Sequence, residues 1–513
     1  MRTTRKARWA AAAIALALGL SACGSDDGDS GDGGSATGGT LTLGVIFPPT
    51  SMAPSDSSWA NESPYMQAVY DTLIRIAPDG ELEPWLATEW SYDDTKTELT
   101  MKLRTDVTFT DGTPFTADVA AQNLLRFRDG TSVNTSYLAN LSDATAVDDE
   151  TLQLTLSQPD PALVLYLGQN AGLQASPEGF GASDEKTNPI GSGPYILDTD
   201  QTVVGSKYVY SKNADYWAPD SQHYDELVIN VLDAITTQVN AIQGDQVDGV
   251  PLADPSANEQ VEASGYEVTS HELDWEGLIL FDREGQLNPA LADVRVRQAI
   301  AHAIDRGAIL EAAYAGNGTV TGQIFGEGLP AFDESLDEAY PYDPDQATEL
   351  LAEAGYADGL TIQMPLIQMG STTVFDLVAQ YLDDVGITVD YVPTALADAI
   401  GDVTSAKYAA SWFRLQQDPT AWQTANFSIS ESATWNVFHV QDATVDELLA
   451  TMQTADEAAA DEAAQELNQY VVEQAWFVPF YRLEAFFATS PDTDVVLQDD
   501  NAYPYLENIT PAA

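Results

Sequence analysis

The feature that most constrains the fold is the apolar run Leu-Val-Ile-Asn-Val-Leu at 227–232, which is followed at once by a helical pattern over 235–242. A short run of this kind predicts a strand that is buried on both faces, and helices must then cover both sides of its sheet. Further along, helical patterns at 345–354 and 374–385 alternate with strand patterns at 360–364 and 387–392. A helical pattern also covers 63–76. The alternation predicts an α/β fold.

The first 22 residues have the pattern of a secretory signal peptide. Four basic residues precede an apolar run over 9–20, which is too short to cross a hydrocarbon layer of about 30 Å as a helix. Leu-Ser-Ala then leads into Cys23, the only cysteine of the chain, as in the lipobox of bacterial lipoproteins. We predict cleavage before Cys23, lipid on its thiol, and tethering to the extracytoplasmic face of the cell membrane. The alternative is an ordinary signal with an incidental cysteine.

The segment 23–40 continues this N-terminal region as a linker. Residues 24–40 are almost wholly Gly, Ser, Asp, Ala and Thr, a composition that behaves as a flexible coil. Because no cysteine follows Cys23, the fold has no internal disulfide.

Acidic residues outnumber basic ones by 80 to 20, for a formal charge of -60. Clustered Lys and Arg are what nucleic-acid binding requires, so this balance argues against a nucleic-acid partner. The acidic residues are spread along the chain, which favours a solvated surface over a site for cations or basic peptides.

Several segments together resemble the solute-binding proteins of peptide/nickel-type ABC transporters, family 5. They are YDTL at 70–73, PWLATEW at 84–90, FTDGTPFTADV at 109–119, NPIGSGPY at 188–195, DVRVRQAIAHAIDR at 293–306, and YDPDQA with LLAEAG over 342–355. Each segment alone is a weak signal, but together the segments keep the order and spacing of the family over residues 70–355.

The resemblance implies a two-lobed, periplasmic-binding-protein-like clamp (type II-like) with an extra small α/β domain. Lobe I would comprise 41–70, 191–275 and 479–513, the added domain 71–190, and lobe II 276–478. Such a protein captures an oligopeptide or other small solute between its lobes and delivers it to ABC transporter permease subunits. It works as a monomer without a cofactor.

The resemblance also indicates where the solute binds. In peptide-binding relatives a segment like 411–419 lines the cleft, and an Asp three places after its Trp holds the α-amino group of the peptide. The corresponding Trp is Trp412, but the Asp is replaced by Leu415. Asp418 is a possible substitute, with a turn before Pro419 as the alternative, and Arg414 suits a carboxylate, with an ion pair as the alternative.

Trp412 is expected either to stack on the solute or to lie in the core. Trp59 and Tyr65, in the loop after the first strand, are further cleft candidates, although most such aromatic residues merely pack. The site is thus predicted from Trp412, Arg414, Asp418, Trp59 and Tyr65.

Two other classes of function remain open. A secreted hydrolase would need a catalytic motif, and none of the common nucleophile, zinc or phosphate-binding motifs occurs. The four histidines lack the spacing of metal ligands, and His302 is expected to be structural. Within the binding proteins, Leu415 disfavours the usual mode of peptide binding, so a sugar, an opine or a metal chelate is the alternative to a peptide-like solute.

Overall fold

The structure is a computed structural model that describes residues 38–252, 255–367, 372–498 and 501–512. The predicted signal peptide, Cys23 and most of the predicted linker lie outside these residues. Strands and helices are mixed along the whole described chain. The strands are β1 (Thr40–Val45), β2 (Ile74–Ile76), β3 (Leu82–Pro84), β4 (Ala87–Tyr92), β5 (Glu98–Leu103), β6 (Leu141–Asp148), β7 (Thr151–Leu156), β8 (Tyr195–Leu197), β9 (Lys207–Lys212), β10 (Glu226–Val231), β11 (Gly249–Leu252), β12 (Glu267–Leu280), β13 (Thr319–Val320), β14 (Leu360–Ile367), β15 (Ile387–Thr394), β16 (Ala410–Gln416), β17 (Phe477–Thr489), β18 (Thr493–Val495) and β19 (Ile509–Pro511).

Helices occur between these strands throughout the described residues. They are α1 (Ser63–Val69), α2 (Ala117–Arg128), α3 (Leu163–Tyr166), α4 (Ile235–Gln243), α5 (Asn258–Ala263), α6 (Val294–Ala303), α7 (Arg306–Tyr314), α8 (Pro344–Glu353), α9 (Thr373–Asp384), α10 (Leu396–Thr404), α11 (Ala421–Ser428), α12 (Ala443–Thr454) and α13 (Glu457–Glu473).

The largest sheet within the described residues has the strand order β16-β12-β17-β11-β1-β10-β9-β8, with β13 beside β17. β1 runs parallel to β10 and to β11. The predicted buried strand at 227–232 is β10, and its partners on both sides confirm that it lies inside a sheet. β12 and β17 are 14 and 13 residues long and pair with each other along their length. They connect the part of the sheet around β1 with the part that ends at β16.

A second sheet, in the order β4-β5-β7-β6 within the described residues, packs against α2. We call β4 to β7 with α2 and α3 the four-stranded unit. Leu99, Met101 and Leu103 alternate along β5 and are buried, because successive side chains of a strand point to opposite faces. The Thr116 side chain accepts a hydrogen bond from the backbone N–H of Val119 and caps α2. The unit lies inside the range 71–190 predicted for the added domain, whose limits stay a prediction.

The helical pattern over 63–76 is wrong in its second half. α1 ends at Val69, Tyr70 is extended, and β2 begins at Ile74. The physical reason is Asp71, which follows α1 and is 3% exposed. Its carboxylate accepts four hydrogen bonds from distant side chains, and these hold the chain in a non-helical conformation at this point.

Candidate functional site

A cavity of about 380 Å³ lies at the end of two parallel strands of the largest sheet. Ile46 and Phe47 follow β1, and Leu252 ends β11, so the cavity opens beyond the carboxyl ends of both strands. β12, β16, β17 and the end of α7 form its other walls. Because α/β sheets bind ligands outside the carboxyl ends of their strands, this cavity is the candidate site.

Arg414 on β16 brings a positive charge to this cavity. Its Nε donates a hydrogen bond of 2.6 Å to Oδ2 of Asp274 on β12, and its side chain is 35% exposed. The carboxylates of Asp274 and the neighbouring Glu276 raise the pKa of Arg414 against the effect of burial. A planar guanidinium held in this way presents donors to an oxygen acceptor in the cavity.

Glu276 lies behind the cavity and is fully buried. Its carboxylate accepts hydrogen bonds from Tyr314 Oη at 2.7 Å, from Tyr481 Oη at 2.7 Å and from Trp412 Nε1 at 3.1 Å. Burial raises the pKa of Glu276, while these donors and the positive charge of Arg414 oppose that rise. Since Tyr314 also lines the cavity, Glu276 fixes the position of one wall.

Trp412 packs as a core residue beside the cavity. It is 6% exposed, and its ring lies against Phe375 with 4.9 Å between the centroids. Leu415 alternates with Arg414 along β16, so its side chain points to the other face of the sheet, where it packs against the apolar core.

Asp418 lines a second cavity, of about 460 Å³, beside the loop at 326–329. The carboxylates of Asp79, Glu272 and Glu327 line the same cavity, which is therefore strongly acidic. Burial raises the pKa of Asp418 to about 7, and a hydrogen bond with Thr424 opposes the rise. The structure thus separates Asp418 from Arg414, which lies at the first cavity.

Trp59 and Tyr65 do not line the first cavity. Trp59 is 4% exposed and lines a separate cavity of about 80 Å³. Tyr65 belongs to α1, not to a loop, and is fully buried. Its hydroxyl donates a hydrogen bond of 3.1 Å to the backbone carbonyl of Phe47, so it supports a residue that lines the cavity.

The cavity contains residues that the sequence reasoning missed. Phe47 is 54% exposed, and it borders the cavity with Asp274, Tyr314 and Gln416. The exposed aromatic residue directly after the first strand is a signal that could have indicated Phe47. No local pattern marks Asp274 or Tyr314, because only the pairing of β12 with β16 and the position of α7 bring them to Arg414.

Two negative findings apply to the part of the chain that the structure describes. It contains no helix of sufficient length and apolar character to span a membrane. It also contains no group of three or more His, Cys, Asp or Glu side chains placed to hold a metal ion.

Comparison with known proteins gives a consistent result. The model of "bacterial extracellular solute-binding proteins, family 5 middle" matches residues 81–438. The chain is 27% identical over 355 residues to a probable peptide ABC transporter periplasmic-binding protein of Sinorhizobium fredii, which covers 64% of this chain and 65% of that protein. It is 26% identical over 362 residues to the glutathione-binding protein of Escherichia coli K12, with 66% of each chain covered. The match thus spans just under two thirds of the length of these relatives.

The fold agrees with a solved structure as well. NikA from Brucella suis in complex with Fe(III)-EDTA superposes with a TM-score of 0.79 at 22% identity, covering 92% of this chain and 100% of that one. The predicted fold class, an α/β two-lobed clamp, is therefore confirmed. The fold is thus that of the two-lobed solute-binding proteins. More narrowly, the chain belongs to the family 5 bacterial extracellular solute-binding proteins, and its relatives are named as binding proteins rather than enzymes.

Proposed function

We propose that this chain is an extracytoplasmic lipoprotein that captures a peptide or peptide-like small solute and delivers it to the permease of an ABC importer. The observation that carries the proposal is the cavity beyond β1 and β11, where the Arg414–Asp274 pair offers both charges to one solute. The names of the relatives support a peptide-like cargo. A non-peptide solute (a sugar, an opine or a metal chelate) is the alternative.

Among the predicted site residues, Arg414 is the one that we propose touches the solute directly. Trp412 acts from behind, through Glu276, and Tyr65 acts through the backbone of Phe47. Asp418 and Trp59 line two other cavities, so we do not assign them a contact with the solute.

The cargo can be identified from solute that stays bound during purification. Denaturing the purified mature protein should release the bound solute. We expect mass spectrometry to identify it as a short peptide or a close analogue. Thermal-shift screens with tripeptides and tetrapeptides should raise the melting temperature, because a ligand of the native state must stabilise it. Stabilisation by saccharides or opines, with none by any peptide, would overturn the peptide assignment. Turnover of the bound compound would indicate a hydrolase instead.

The direct role of Arg414 is tested with the same peptides, each with a free and an amidated carboxyl terminus. Arg414→Gln should weaken binding of the best free-acid peptide at least tenfold, since a charged hydrogen bond is worth about 1.5–3 kcal/mol. The matched control is Arg128→Gln. This change removes a guanidinium that pairs with the adjacent Asp129 and does not line the cavity. Equal affinities for the parent and Arg414→Gln would remove Arg414 from the site.

Membrane anchoring is a separate part of the proposal and rests on the sequence around Cys23. Cells expressing the protein should incorporate labelled palmitate into it, and Cys23→Ala should abolish the label and release the protein from the membrane fraction. Unchanged labelling in Cys23→Ala would refute the anchor. Size-exclusion chromatography with light scattering should give a monomer.

A further inference from the structure

The four-stranded unit touches the chain over 418–455 at a place away from the solute cavity. Lys96, in the turn between β4 and β5, donates from Nζ to the backbone carbonyl of Ala455 at 2.6 Å. Gln453 on α12 donates from Nε2 to the carbonyl of Pro159, which follows β7, also at 2.6 Å. These two bonds join residues that are 359 and 294 positions apart in the sequence.

Lys96 is presented to its partner by a specially built turn. Its backbone has φ of 56°, a left-handed conformation that a lysine rarely adopts. The Asp93 carboxylate holds this turn by accepting hydrogen bonds from the backbone N–H groups of Thr95, Thr97 and Glu98. Ala455 caps the C-terminus of α12, where the helix dipole favours a positive charge. The positive charge of Lys96, its place beside the end of α12 and the geometry of its turn therefore all favour the hydrogen bond to Ala455.

The contact continues into the interior beside these two bonds. Asp160, 5% exposed, accepts hydrogen bonds from Asn140 Nδ2 and from the backbone N–H of Ala162. Burial raises the pKa of Asp160, and the nearby Trp422 on α11 is among the groups that oppose this rise. One continuous apolar cluster includes Tyr166 from the four-stranded unit and Trp422. The buried core is thus continuous between the four-stranded unit and the 418–455 region, and the two polar bonds join the same two parts of the chain.

We propose that this contact is a latch, through which the four-stranded unit grips the 418–455 region and holds the clamp closed. In a two-lobed clamp, closure bends the connecting strands and brings surfaces together that separate on opening. β12 and β17 are those connecting strands, and the latch lies outside the cavity that they border. It shifts the balance between open and closed states whatever solute is bound. The proposal rests on the clamp fold and not on the identity of the cargo.

The latch is tested on the protein as purified, without added solute. A Cys23→Ala background has no other cysteine, so spin labels on Asp118→Cys and Asp446→Cys report one distance between the two regions. In the parent we expect both a short and a long distance, which correspond to the closed and the open state. In Lys96→Ala/Gln453→Ala the ratio of short to long distances should fall about tenfold, the effect of losing roughly 1.4 kcal/mol from two hydrogen bonds.

Two further variants make the result decisive. Lys207→Ala/Gln260→Ala removes an exposed lysine and an exposed glutamine elsewhere, and it should leave the distances unchanged. Lys96→Arg keeps a positive donor for the Ala455 carbonyl and should retain most of the short distance. Identical distances in the parent and in Lys96→Ala/Gln453→Ala, or the same shift in the control pair, would overturn the latch. Failure of every peptide to bind would overturn the proposed cargo and leave the latch intact.

Discussion

Asp71 offers the sharpest test of how this fold is held together. Its Oδ1 accepts from Trp85 Nε1 at 3.0 Å and Tyr216 Oη at 2.8 Å, and its Oδ2 accepts from Ser192 Oγ at 2.7 Å and Trp217 Nε1 at 3.0 Å. Burial raises the pKa of Asp71, and the four donors oppose the rise. With every neighbour acting as a donor, the ionised carboxylate is the form that satisfies them all.

Asp71→Asn replaces one acceptor oxygen with an NH2 group of nearly the same shape. If the NH2 takes the place of Oδ2, the Ser192 hydroxyl can rotate and accept, but the indole N–H of Trp217 cannot. If it takes the place of Oδ1, Tyr216 can adapt and Trp85 cannot. Either orientation leaves one buried indole N–H without an acceptor, which costs about 1–3 kcal/mol, and weakens the remaining charged bonds. We expect a loss of about 3 kcal/mol.

The assay is urea unfolding at pH 7, followed by tryptophan fluorescence and by circular dichroism. Asp200→Asn, at an exposed turn, is the matched control and should change the free energy of unfolding by less than about 0.5 kcal/mol. A loss below that limit for Asp71→Asn would refute the reasoning, because a carboxyl that asparagine can replace is already protonated.

Three other perturbations have definite expected outcomes. Asp418 lies near Tyr166 of the four-stranded unit, and Asp79, Glu272 and Glu327 line the same cavity as Asp418. Because burial raises the pKa of Asp418 to about 7, the native state binds an extra proton between about pH 4 and 7, so stability falls as the pH rises through this range, and Asp418→Asn should flatten that part of the pH–stability curve. Glu276→Leu should lower the free energy of unfolding by about 3 kcal/mol, since it strips the acceptor from three donors, while Glu276→Gln should lower it less; equal losses would contradict the hydrogen-bond argument. Gly191→Ala would place a Cβ 1.8 Å from the carbonyl oxygen of Val69 and should prevent folding or lower the melting temperature sharply, whereas Gly307→Ala, at the start of α7, should be neutral or stabilising.

The sequence predicted those elements whose signals are local. Thr116, Asp293 and Asp305 cap α2, α6 and α7, because each side chain accepts a hydrogen bond from a backbone N–H two or three residues further on, so the signal for each cap lies within a few neighbouring residues. The predicted strands at 360–364 and 387–392 are confirmed as the parallel pair β14 and β15. Residues joined over long separations were not predictable in this way. Glu276 and Tyr481 are 205 residues apart, and no sequence periodicity shows that they meet.

The same limit explains why the site was predicted only in part. Arg414 was predicted from its place two residues after Trp412. Its partner Asp274 was not predicted, because only the pairing of β12 with β16 brings the two residues together. In the sequence, Leu415 stands where peptide-binding relatives have an Asp. Its side chain points to the face of the sheet opposite Arg414, where burial of an apolar side chain is favourable. The replacement therefore removes one charge from the site without leaving a buried polar group unpaired. On the proposed function, charge recognition falls to the Arg414–Asp274 pair, and because Asp274 belongs to the connecting strand β12, a solute at this pair would contact a strand that bends when the clamp closes.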